Sequence, residues 1–196
     1  MLVLAGPNGA GKTTFFEVTL EEKLGIPFVN ADRIARTLSP AANPGSSDAV
    51  AFQAAALMRE QLVASRTSFC METVFSDPVG DKLAFFHRAQ AAGYLVAMIF
   101  VGLASAALSA RRVAQRVERG GHDVPKDRLR ERYPRVMANL REALQSLDLV
   151  VVLDNSDVEE VYREIAVYER GKATWRAREM PKWFSACEPD RGKAPR

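Results

Sequence analysis

Residues 6–14 read Gly6-Pro7-Asn8-Gly9-Ala10-Gly11-Lys12-Thr13-Thr14, between the apolar run "MLVLA" (1–5) and the amphipathic stretch "FFEVTLEEKL" (15–24). The first eight residues fit G-x-x-x-x-G-K-[ST], after a strand and at the opening of a helix, which is the context that gives the pattern its meaning. Gly9 and Gly11 let the backbone bend until its N–H groups converge on phosphate oxygens. Lys12, read as an exposed point charge, reaches toward the β- and γ-phosphates. Thr13 supplies a hydroxyl of the kind that ligates Mg²⁺. Gly6 to Thr14 is therefore the candidate nucleotide-binding loop, with ATP and Mg²⁺ as expected cofactors. A glycine-rich turn before an ordinary helix is the plainer reading, and it leaves the Lys-Thr pair without a role.

Working outward, the 196 residues are 47% hydrophobic and 26% charged, the make-up of one globular domain. Net charge is +3, a mild basicity that suits phosphorylated ligands and falls short of a nucleic-acid footprint. Cys70 and Cys187 have no metal-ligand spacing and read as inert thiols in a reducing compartment. The N-terminus has no basic leader, and no apolar run approaches the roughly 18 residues of a membrane span, so a cytoplasmic location without membrane contact is expected.

Strands alternate with helices along the chain. "IPFVN" (26–30), "SFCMET" (68–73), "YLVAMIFVGL" (94–103) and "LDLVVVLDN" (147–155) read as strands. The stretch 94–103 is apolar without alternation, as a parallel strand covered on both faces is. Helices are expected from Lys12 to Leu24, from a Ser46 or Ser47 cap to Arg66, from an entry at Ser76-Asp77-Pro78, from Ser105 to Arg119, and from Lys126 to Leu147 with a bend at Pro134. After Asn155, a Ser156/Glu159 capping box predicts a brief helix, followed by a hairpin over about 164–177 turning at Arg170-Gly171. Trp175 and Trp183 are expected to pack on the body. The pattern implies a three-layer α/β/α sandwich around a mostly parallel sheet, one domain over 1–185, with 186–196 as a frayed basic tail.

Three further groups join the loop. Asp32 in "FVNADRIA" lies past the second strand, at the carboxyl edge where open α/β sheets bind ligands. It fits a base that accepts a hydroxyl proton, while a helix cap at Asn30 or Asp32 fits the same spacing. Glu72 and Thr73 end the third strand on that edge and suit substrate hydroxyls, as does Asn30; an ion pair between Glu72 and a nearby arginine is the bland alternative. Arg112, Arg116 and Arg119 share one helix face beside an apolar face of Ala110, Val113 and Val117, while Arg111 points elsewhere. An arginine stripe running into Gly120-Gly121 suits a lid, over about 112–126, that closes on phosphates. A transporter-type ATPase shares the loop but needs an L-S-G-G-Q signature and an Asp-Glu strand end; here "VVVLDN" (150–155) carries Asn155 after Asp154.

Taken together, "GPNGAGKTT", "NADRIA", "METVFS", "GYLVAMIFVGL", "RVAQRVERGGHDVP", "RYPRVMANL" and "LDNS" resemble the zeta toxin family of P-loop kinases over most of residues 1–156. The resemblance implies a small-molecule kinase with a helical lid that phosphorylates the 3′-hydroxyl of the amino sugar in UDP-N-acetylglucosamine, using ATP and Mg²⁺. It implies Lys12 and Thr13 as phosphate and magnesium residues, Asp32 as base, and Glu72 as the substrate-positioning acid. Arg116 and Arg119 then stabilise the transferring phosphoryl group, with Arg112 or His122 able to fill one place. A sugar-nucleotide acceptor and an antitoxin protein are the implied partners, although the chain lacks the long C-terminal extension of the larger toxins. A kinase of another small alcohol, and an ATP-dependent binding module that grips nucleic acid, are the competing readings.

Overall fold

The computed structural model describes residues 1–38, 44–78, 80–120 and 123–189. His122, the 39–43 part of the expected loop and the tail beyond 189 lie outside the described residues. Seven strands form one sheet in the order β2-β3-β1-β4-β5-β6-β7. These are β1 (Leu2–Ala5), β2 (Phe28–Val29), β3 (Cys70–Thr73), β4 (Ala97–Gly102), β5 (Leu149–Asp154), β6 (Arg163–Glu169) and β7 (Lys172–Arg176). The first five run parallel, and β6 and β7 add an antiparallel edge.

The side-chain period of two in β1 divides the core. Val3 and Ala5 join a large cluster with Met98, Phe86, Leu140 and Phe184, whereas Leu4 joins Phe16 and Cys70 on the other face. Helices therefore cover both faces. One layer holds α1 (Lys12–Phe15) and α2 (Glu21–Leu24), joined by a π-helical turn at Phe16–Leu20. The opposite face is covered by α4 (Pro44–Ala64), α5 (Asp81–Ala91), α7 (Lys126–Ser146) and the short α8 (Lys182–Cys187). The remaining helices, α3 (Ala31–Leu38) and α6 (Ala106–Glu118), follow β2 and β4.

Local chemistry accounts for several boundaries. Ser105 caps α6 by accepting from the Leu108 N–H at 3.1 Å. The apolar face of α6 seats where it was read: Val113, with Ala110 and Val117, packs on Val124 and Leu129. The β6–β7 turn has positive φ at both Arg170 (47°) and Gly171 (81°), the two-residue geometry whose twist matches a right-handed hairpin.

Four expectations are corrected. No helix forms at 156–162, because Ser156 turns its hydroxyl to Asp154 and Asp157 accepts from the Glu159 N–H at 2.9 Å, so the capping box is never made. Helix α5 starts at Asp81 behind Gly80, beyond Ser76-Asp77-Pro78. Helix α4 starts at Pro44, where a proline's missing N–H costs nothing, ahead of Ser46. Trp183 is buried, but Trp175 is 44% exposed on the edge hairpin, where no layer covers it.

Candidate active site

Strand register builds the site. Leu4 pairs with Glu72 and Ala5 with Thr73, while Val29 pairs with Met71. The residues that follow β1 and β2, Gly6 and Asn30, therefore emerge level with Glu72 and Thr73 at the carboxyl edge. A half-buried Glu72 needs partners there. It takes Thr13 Oγ1 at 2.8 Å and Asn30 Nδ2 at 2.7 Å, both on Oε2, with Lys12 Nζ 3.8 Å from Oε1. The arginine pairing is thus not the one made.

The loop is closely packed on its neighbours. Gly6 has φ +143°, and a Cβ there would stand 2.1 Å from the Val101 carbonyl oxygen, so only glycine allows β1 to turn against β4. At Gly11, φ +88°, a Cβ would meet Tyr162 Oη at 2.7 Å and Asn155 Nδ2 at 2.9 Å. Those two groups hold the loop from behind: Asn155 donates to the Ala10 carbonyl at 2.8 Å and Tyr162 to the Gly11 carbonyl at 2.9 Å. Ser109 on α6 donates to the Asn8 carbonyl at 2.7 Å. With Asn8, Ala10 and Gly11 so held, the backbone is preorganised.

Lys12 departs from its reading as an exposed charge. It is 5% exposed and folds over the loop, donating to the carbonyls of Gly6 and Pro7 at 3.0 Å each. Burial lowers its pKa, and Glu72 acts in the opposite direction. Thr13 is half-buried, and Thr14, the last residue of the stretch, is exposed on the helix.

The two readings of Asp32 are separated by its neighbour. Asn30 is the cap, its Oδ1 accepting from the Arg33 N–H at 3.0 Å. Asp32 lies one residue inside α3, exposed, and lines a cavity of about 640 Å³ together with Asn8, Asn30, Glu72, Thr73 and Arg116. Arg33 fixes that helix: it pairs with Glu17 at 2.9 Å and Glu21 at 2.7 Å, and its guanidinium lies 4.9 Å from the Phe28 ring centroid. Thr73 lines the cavity but spends its Oγ1 on the Phe75 N–H at 3.0 Å, bracing a residue with φ +62°.

The three arginines of α6 have different surroundings. Arg116 borders the cavity, Arg112 leans toward the Ser156 carbonyl at 3.5 Å, and Arg119 is exposed at the helix end. Asp154 is occupied structurally, accepting from Trp183 Nε1 at 3.1 Å. Strand β5 is also separated from β1 by β4, so the carboxylate beside the loop strand is Glu72. A second cavity, of about 490 Å³, opens at the opposite edge near Met1, Phe69 and Tyr94 and holds none of these groups.

Sequence reasoning missed Asn155 and Tyr162, which lie more than 140 residues from the loop they hold. It also missed the cavity residues Arg59, Lys82, Asp77 and Arg132. Positive φ at Tyr162 (55°) and the Asn after an apolar strand are signals visible only once the strands are paired.

Thr13 and Glu72 together offer hard oxygen donors, the chemistry a magnesium ion takes, and the loop's convergent backbone suits a polyphosphate. Among the described residues no helix is long and apolar enough to cross a membrane. No curated protein matches the chain. The fold resembles that of a suspected kinase from Chloroflexus aurantiacus (19% identity, 82% of this chain and 87% of that chain, TM-score 0.56). It is also similar to a chain of the AvrRxo1-ORF1:-ORF2 complex solved with ATP (16%, 88% and 59%, TM-score 0.68) and to one from the PezAT chromosomal toxin-antitoxin system of Streptococcus pneumoniae (16%, 85% and 71%, TM-score 0.63). The architecture these structures share with the chain is a mostly parallel sheet with helices on both faces. The zeta toxin family model matches residues 1–166, a span that holds the loop, Asp32, Glu72 and Arg116, and the chain belongs to that family.

Proposed function

We propose that this protein is an ATP- and Mg²⁺-dependent kinase of a small-molecule hydroxyl, with a sugar hydroxyl of UDP-N-acetylglucosamine or a related sugar nucleotide as acceptor. One observation carries the reading: Asp32, Glu72 and Arg116 border the same cavity as Asn8 of the phosphate loop. An acceptor in that cavity would meet a proton acceptor, a positioning carboxylate and a cation beside the bound nucleotide.

The loop from Gly6 to Thr14 would hold the polyphosphate through backbone N–H groups, and Lys12 would exchange its two carbonyl partners for phosphate oxygens. Thr13, with Glu72 behind it, would hold Mg²⁺, which when bound neutralises charge on the phosphates. Asp32, exposed and not needed as a cap, would accept the proton of the attacking hydroxyl. Arg116 would stabilise charge on the transferring group, and Arg119 would join it only if the lid closes. Asn30 and Glu72 would orient the acceptor, with Thr73 shaping the wall. The cytoplasm supplies ATP and sugar nucleotides together, and an antitoxin protein is a fitting partner for a chain similar to one from a toxin-antitoxin system.

The test is to incubate the protein with ATP, Mg²⁺ and a panel of sugar nucleotides, neutral sugars and small alcohols, and to look for a mass gain of one phosphate. Transfer to a sugar nucleotide is expected. Transfer only to another alcohol would keep the kinase and replace the acceptor, and no transfer to any member would overturn the reading.

A further inference from the structure

Helix α3, which carries Asp32, has little apolar contact to hold it. It is eight residues long, follows a strand of two, and contains no buried residue. Ala31 and Ile34 reach the main cluster only as half-buried side chains. Burial alone therefore leaves the position of Asp32 loosely fixed.

Arg33 supplies what burial does not. One residue along a helix turns a side chain by about 100°, so Asp32 lines the cavity and Arg33 does not. The Arg33 guanidinium forks onto Glu21, with Nη1 on Oε1 at 2.7 Å and Nη2 on Oε2 at 3.2 Å. Nη2 also donates to Glu17 Oε1 at 2.9 Å. The same group lies 4.9 Å from the Phe28 ring centroid and 5.6 Å from that of Phe16, and the two rings stack with centroids 3.7 Å apart. The hydrogen bond from Arg33 holds the Glu21 carboxyl below its usual range.

Both carboxylates belong to the helical run that leaves the phosphate loop, Glu17 in the π-helical turn and Glu21 at the start of α2. Such turns are rare and concentrate at functional sites. Phe16 opens this one and is buried, four residues after Lys12. The clamp thus joins the helix behind the loop to the helix that carries Asp32. An ordinary surface ion pair is the plainer account, and it explains little. The Arg33 side chain is 30% exposed and those of Glu17 and Glu21 are 44% and 45% exposed, and pairs so exposed contribute roughly 0–1 kcal/mol. A planar fork on two carboxylates, set against two stacked rings, fixes direction more than it adds stability.

We propose that Arg33 is a positioning residue: through Glu17 and Glu21 it holds α3 to the helix behind the phosphate loop, so that Asp32 stands at one distance from the reacting phosphate. The inference rests on the kinase reading with Asp32 as proton acceptor. Displacing such a group by about 1 Å costs on the order of a hundredfold in rate.

Arg33→Met keeps the length of the side chain and removes the fork. Its kcat for phosphotransfer is expected to fall about tenfold or more, with KM for ATP within about twofold and little shift in thermal unfolding. Arg33→Lys keeps the charge without the fork or the planar stacking, and does not restore the rate. The decisive arm places Arg33→Met in Asp32→Asn. A residue that acts through Asp32 costs nothing further there, whereas a structural one slows both backgrounds alike. Additive losses, or a single-variant kcat within about twofold of wild type, overturn the proposal. If Arg33→Met unfolds, Glu17→Gln/Glu21→Gln carries the same comparison from the other side of the clamp. Native-state hydrogen exchange separates the two ideas. A wild type that transfers phosphate to no acceptor removes the kinase reading, and exchange then decides the clamp by itself. Faster exchange confined to 31–38 in Arg33→Met keeps it, and unchanged exchange there removes it.

Discussion

Thr13 Oγ1 donates to Glu72 Oε2 at 2.8 Å, and Asn30 Nδ2 donates to the same oxygen at 2.7 Å. One carboxylate on β3 thus joins the helix after the phosphate loop to the segment after β2. In the proposed phosphoryl transfer, the nucleotide and acceptor sides would meet on Glu72.

That sharing changes what Glu72→Gln is expected to do. A residue that only positioned the acceptor would raise the acceptor KM alone. Bonded to Thr13 and 3.8 Å from Lys12, Glu72 would also set the charge beside a bound nucleotide. The variant should raise the acceptor KM and also the Mg²⁺ concentration needed for half-maximal rate, each by about tenfold or more. Steady-state kinetics with Mg²⁺ varied at fixed ATP checks this, and an unchanged Mg²⁺ requirement would confine Glu72 to the acceptor side.

Asp32→Asn tests the proposed proton acceptor. Because Asn30 makes the cap bond to Arg33, the substitution leaves the start of α3 intact, and thermal unfolding should shift little. Nucleotide affinity should persist, while phosphate transfer should slow by about a hundredfold or more. Transfer within a few-fold of wild type would show that another group takes the proton.

Gly102→Ala probes how the C-terminal helix is seated. A Cβ at this strand end would stand 2.1 Å from the Trp183 ring, which is buried and donates to Asp154. Overpacking of this kind costs about 1–3 kcal/mol. The melting temperature should fall and Trp183 fluorescence should report a more polar setting. Adding Trp183→Leu should cost less in Gly102→Ala than in the wild type, because the clash is then already absent.

The two thiols give a pH-dependent prediction. Burial pushes both Cys70 and Cys187 up to about 12. The unfolded chain has ordinary thiols, with pKa near 8.5. A folded pKa raised above the unfolded one means that this contribution to stability is complete below about pH 8.5 and is lost as pH rises toward 12. Neither thiol should react with a thiolate-selective reagent at pH 8 until denaturant is added. Rapid native-state labelling of either would contradict the burial.

The sequence by itself determined much of this protein. The loop from Gly6 to Thr13, the apolar run that became β4 and the Ser105 start of α6 were legible because each depends on neighbours within a few residues: a positive φ at glycine, a strand without alternation, a hydroxyl three positions before an N–H. Asp32 was legible as a candidate but not as distinct from a cap, since Asn30 and Asp32 stand at the same strand end and only the bond to Arg33 tells them apart. Tertiary structure decided the rest. Glu72 faces Thr13 across 59 residues because β3 lies beside β1, and Lys12 is buried because the loop folds under its own side chain. Asn155 and Tyr162 reach the loop, and Arg59, Lys82 and Arg132 share a cavity, because strand order and helix packing bring them together. Strand order is a property of the whole sheet's hydrogen bonding and burial, and no local pattern in the chain encodes it.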